Sequence, residues 1–110
     1  MPTPTLTARS VALHLPGVTL TGTVHYDRRR SALWLEDEHG ERERLSVDLG
    51  EYGLVAVLPG EVWIKDWAEH AGLAGALVDA GLVMTIDRAY VGPFASRAYL
   101  CLVLDPELAR

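Results

Sequence analysis

Four histidines, one cysteine, three tryptophans and a run of three arginines are the side chains of this sequence with chemistry beyond packing. His14 and His25 sit in two alternating stretches joined by Pro16-Gly17. A tight turn at that dipeptide pairs the stretches, so the two imidazoles could face one another as a metal or acid–base pair. His70 is preceded by Asp66 and Glu69 at helical spacing. A metal reading of that trio lacks a second His or Cys nearby, and both carboxylates fit better as punctuation of a helix start. Cys101 lies in an apolar run; a lone thiol excludes an internal disulfide and reads as buried and inert. No Gly-x-Ser-x-Gly elbow, phosphate-binding loop or Gly-x-Gly-x-x-Gly occurs. Ser10, Ser31, Ser46 and Ser96 fall where turns and strand faces account for them. These residues lean away from catalysis and call for no cofactor or metal; the alternative they leave is a small His-dependent or metal-dependent enzyme built on His14 and His25.

Binding chemistry is better represented. Arg28-Arg29-Arg30 is the one basic cluster, and in a hairpin loop it could grip a phosphate or an acidic partner surface. Its structural alternative is a solvated turn, partly neutralised by Asp27 and by the Glu36-Asp37-Glu38 stretch. Trp63 alternates with Val62 and Ile64, so it points away from whatever they bury. On a covered second face it is core; exposed, it marks a binding surface together with Trp67. A helix following Trp63 carries Ala68, Gly72, Gly75 and Ala76 on the side that should be wet. Two interior glycines cost about 1 kcal/mol each relative to alanine. Either another part of the chain packs closely on that smooth side, or a partner does, a second copy being the simplest.

The elements that must position these residues follow from periodicity. Residues 10–15 and 18–26 alternate apolar and polar, the second with Thr19, Thr21, Thr23 and His25 on one face. Residues 32–36 place Trp34 opposite Leu33 and Leu35, and 41–49 place Leu45, Val47 and Leu49 opposite Arg42, Arg44, Ser46 and Asp48. Short turns join these four strands into an antiparallel β-meander, curled into a small, partly open barrel or bent sheet. Residues 54–58 read as a strand or a buried connection, and 61–65 as a strand. The helix spans about 67–80, with Asp66 and Glu69 as a capping box and Gly81 as a left-handed C-cap that folds Leu82 back on Leu77. Strands at 82–90 and 97–104 close the chain as a hairpin. The fold class is α+β: one domain over 1–110, with a loose lead-in at 1–8 and a polar tail at 105–110.

Composition sets the outer bounds. The chain has 110 residues, 49% of them hydrophobic, and a net charge of −5, with four basic against eight acidic residues after position 50. That balance disfavours general binding to nucleic acid or to an anionic membrane. The start lacks the cationic and apolar segments of a signal peptide, and no apolar run spans a membrane, so a cytoplasmic protein is expected. Absence of Asn and Gln with abundant Ala, Gly, Arg, Leu and Val suggests a GC-rich bacterial coding sequence. The meander resembles an SH3-like barrel in its strand lengths, a likeness of architecture that carries no activity. The helix and hairpin resemble the latter half of a winged helix, but no Arg or Lys on that helix is placed to read a groove. The expected function is a non-catalytic protein-interaction module, binding a protein partner or itself. The alternative is an acidic inhibitor-type protein of a mobile element that docks on a basic enzyme.

Overall fold

The computed structural model of the chain describes residues 6–54, 58 and 60–104. Alternation and β-branched content build the first sheet. β1 (Leu6–Leu15) and β2 (Val18–Asp27) pair antiparallel across Pro16-Gly17, followed by β3 (Ala32–Glu36) and β4 (Arg42–Arg44), in the order β1-β2-β3-β4. β1 starts at Leu6, earlier than the alternation suggests, because the ten-residue β2 offers a partner to every position back to Leu6, opposite Asp27. Leu13, Leu15, Val24, Tyr26, Leu33 and Leu35 are buried on the inner face. The outer face carries His14, Thr19, Thr21, Thr23, His25, Trp34, Glu36, Arg42 and Arg44.

The expected strand over 41–49 is shorter than its alternation implies. Regular pairing with β3 ends at Arg44, and the chain then changes partner. Leu45 and Ser46 still donate backbone N–H to Leu33, while Val47 donates to Trp63 and Lys65 donates to Leu45. Ser46 bridges Ile64. One short segment therefore pairs with β3 on one side and with β5 (Glu61–Lys65) on the other, which buries Ser46 where simple alternation would expose it.

β5 opens the second sheet, of order β5-β7-β6, with β6 (Val83–Val91) and β7 (Ser96–Val103) as the C-terminal hairpin. The sheets do not close into a barrel; together they make an open, bent wall. The helix is a correction to the expected 67–80. α1 spans only Leu73–Asp79. Before it, Trp67 is extended, Ala68–His70 form a single 3-10 turn, and Ala71 has left helical geometry at ψ 127°. Gly72 is the N-cap at φ 92°, a left-handed position that no helix interior contains. The expected capping-box positions are not where the helix starts, since Asp66 and Glu69 both precede the N-cap Gly72, yet Asp66 still caps: its carboxylate accepts the N–H of Gly72 and of Ala74, both at 2.9 Å. At the other end the expected C-cap is present. Gly81 donates to Val78 and Leu82 to Leu77, a Schellman motif, and Leu77 and Leu82 are both fully buried.

Two hydrophobic clusters result. The larger takes residues from the inner face of the first sheet, from Val62, Ile64, Cys101 and Val103, and from Leu73, Ala74, Ala76 and Leu77 of α1. The smaller lies on the other face of the second sheet, where Trp63, Val91 and Ala98 meet Leu49. Sheet 5-7-6 is thus covered on both faces at its centre, and each buried Leu, Ile or Val contributes roughly 1.5–3 kcal/mol. The expected tail at 105–110, most of the 54–58 segment and the first five residues of the lead-in lie outside the described residues.

Candidate functional site

The outer face of the first sheet gathers chemistry that the sequence scatters. In its register His25 is opposite Trp34, Trp34 is opposite Arg44, and Glu36 is opposite Arg42. His25 stacks on Trp34, ring centroids 5.5 Å apart and planes 13° from parallel. The Arg42 guanidinium lies over the same indole, 5.7 Å from its centroid. Arg30 arrives from the β2–β3 turn, held there by Asp27, whose Oδ1 accepts the N–H groups of Arg29 and Arg30 at 3.0 and 3.3 Å. Arg30, Arg42 and Arg44 with Ala32 and Trp34 line one cavity of about 300 Å³.

Arg44 is held by a hydrogen bond, its Nε donating to Ser46 Oγ at 2.9 Å, while Arg30 Nε and Arg42 Nε stand in looser ion pairs, 3.7 Å from Asp27 Oδ2 and from Glu36 Oε1. Ser46 is itself buried and accepts the N–H of Leu33 at 2.9 Å, so the Arg44 anchor is rigid. The outer Nη groups of the three have no hydrogen-bond partner among the described residues. Five of the chain's ten basic residues (Arg28, Arg29, Arg30, Arg42 and Arg44) lie between positions 28 and 44, in a chain of net charge −5. Anchored guanidinium forks beside an aromatic floor are suited to holding a carboxylate or phosphate.

Of the residues singled out from sequence, Arg30 and Trp63 come together, at a second cavity of about 210 Å³ that also has Arg44, Ser31 and Asp48 in its wall. Arg28 and Arg29 are exposed on the adjoining turn. Trp63 is core, 7% exposed, though its indole N–H has no hydrogen-bond partner. Trp67 is half-buried against the smaller cluster. The smooth helix side divides: Ala68 and Gly75 are exposed, Ala76 is buried, and a Cβ on Gly72 would sit 2.7 Å from Pro16 Cδ. It is not one continuous face, because Gly72 and Ala76 are packed by the chain itself.

The histidine pair does not form. Leu15 pairs with Val18, so His14 faces Thr19, and its Nδ1 lies 3.3 Å from the Thr19 hydroxyl. His25 faces Ala8 and makes a 3.3 Å contact with Glu36, a distance along β2 of about 20 Å from His14's partner. His70 is buried and contacts Glu43 through Nε2. Among the described residues no group of three or more His, Cys, Asp or Glu is placed to hold a metal. No helix among them is long and apolar enough to cross a membrane.

Arg42, Arg44 and the platform role of Trp34 are what residue-by-residue reading missed. Counting register outward from the 37–41 turn places Trp34 beside Arg44 and Glu36 beside Arg42, and that signal was available. A scan against family models and searches of curated proteins and of solved structures found no match to this chain.

Proposed function

We propose that the chain is a non-catalytic interaction module that docks an acidic segment of a protein partner on the outer face of the first sheet. The observation that supports this is the convergence of Arg30, Arg42 and Arg44 on one cavity floored by Trp34, Arg44 hydrogen-bonded at Nε and the outer nitrogens of all three without hydrogen-bond partners among the described residues. Arginine and tryptophan are the residues that dominate protein interfaces, and the hydrogen bond that holds Arg44 lowers the ordering cost of binding there. The smooth helix side gives less support to self-association, since half of it is packed internally.

A second reading, docking on a basic enzyme, has its own observation. A groove of about 550 Å³ runs along Glu36, Asp37 and Glu38, with Thr21 and Thr23 opposite. The two readings differ in the sign of the partner. Fluorescence anisotropy with labelled acidic and basic peptides at two salt concentrations separates them. The acidic peptide should bind, weaken with salt, and lose about tenfold in affinity in the triple variant R30A/R42A/R44A. Binding of the basic peptide alone transfers the assignment to the acidic groove, and binding of neither removes the module reading.

A further inference from the structure

The smaller cavity, which shares Arg30 and Arg44 with the docking face, has the donors for a more specific ligand than a generic acidic segment. Two guanidinium forks enter its wall beside the Ser31 hydroxyl. Arg44 is pinned to a hydroxyl that is itself 1% exposed, and Arg30 sits in a turn fixed by the Asp27 carboxylate. The indole of Trp63 borders the same space, 7% exposed, with its N–H buried and without an acceptor among the described residues. Two acids oppose the guanidinium forks: Asp27, 3.7 Å from Arg30 Nε, and Asp48 in the wall, whose Oδ1 accepts the Gly50 N–H at 2.9 Å.

We infer that this cavity seats a phosphoryl group carried on the docking partner. A carboxylate offers two oxygens and one charge, and a single fork satisfies it. A phosphoryl group offers three oxygens and nearly two charges, which matches two forks and a hydroxyl. The inference rests on the reading that the outer face of the first sheet docks an anionic protein segment.

The test is an NMR titration of the ¹⁵N-labelled full chain, following the indole N–H signals of its three tryptophans. Four probes are compared: an acidic peptide with one phosphoserine, the same peptide with serine, the same with glutamate at that position, and inorganic phosphate. The phosphopeptide should bind about tenfold tighter than the glutamate version and move the Trp63 indole signal. Arg44→Gln should abolish both the preference and the shift while binding through Arg42 persists. Ser31→Ala removes the hydroxyl from the wall and should lower the preference several-fold; should that variant not fold, Arg44→Gln, at an exposed side chain, decides the matter. Equal affinity for the phospho- and glutamate peptides overturns the phosphoryl assignment and leaves the acidic docking face standing. No response to any peptide overturns both. Inorganic phosphate binding as tightly as the phosphopeptide overturns the claim that the group arrives on a partner.

Discussion

Arginine lies over an aromatic ring in two regions of this molecule, with different consequences. In the C-terminal hairpin Arg97 covers Tyr99 at 5.7 Å, the same distance at which Arg42 covers Trp34. Arg97, however, reaches onward with Nη2 to the 3% exposed Asp66, at 3.2 Å, and that hydrogen bond is the main reason its pKa is raised. Asp66 in turn holds the start of α1. The outer donors of Arg97 are thus absorbed into the fold. On the first sheet the acids and the serine take only Nε, and the forks stay open toward solvent. Whether a cation over a ring is structural or available for a ligand is decided by where its outermost nitrogens end, not by the ring beneath it.

That contrast breaks if perturbing the helix side leaves stability intact, or if perturbing the arginine face lowers it. Asp66→Ala should have the largest effect, costing about 3–4 kcal/mol in urea unfolding, because one buried and one half-buried N–H and one guanidinium lose their acceptor together. Next is the pH dependence set by Cys101. Burial pushes its thiol up to about 11, with the charge of Asp66 adding to the rise and a hydrogen bond from Thr85 working against it. The folded value exceeds the unfolded value of about 8.5, so the stability associated with the neutral thiol is fully present below that pH and is lost as pH rises toward about 11. The loss should be about 3 kcal/mol across that window in the wild type, and Cys101→Ala should flatten it.

A third contrast lies within the helix region. Gly72→Ala meets Pro16 at 2.7 Å and a φ of +92°, and should cost about 1–3 kcal/mol in thermal or urea unfolding. Gly75→Ala meets nothing within 4 Å in a helical position and should instead raise stability by about 0.5–1 kcal/mol. The smallest change should come from the arginine face: Arg44→Gln is expected to move unfolding free energy by no more than about 0.5 kcal/mol. A cost of several kcal/mol there would put Arg44 in the same structural class as Arg97.

These two glycines show where the sequence was legible and where it was not. Strand identity, the sided burial of Leu13, Val24, Leu33 and Ile64, and the Schellman end at Gly81 follow from alternation and turn chemistry, which are local. Gly72 and Gly75 are indistinguishable on a helical wheel. Only the left-handed backbone at Gly72, forced where the chain leaves a 3-10 turn, separates a cap from an interior position. Asp66 was recognisable as a cap because a carboxylate before an apolar helix has few other uses; its reach of eight residues to Ala74 depends on that same detour. For the candidate site, Arg28–Arg30 and Trp63 were visible as unusual residues. Their meeting with Arg44 needs the exchange of partners at 45–47, a tertiary event that no local rule encodes.

That exchange also makes one sheet the template for the other. Leu45 takes its position from Leu33, and the same short run then bonds Trp63 and Lys65. Because strand side chains alternate with a period of two, a one-residue slip between Leu33 and Leu45 would turn the 45–47 run over while β5 keeps its five pairs with β7. Ser46 and its bridge to Ile64 would be lost, so the seam between the sheets admits one register of the meander against the C-terminal half.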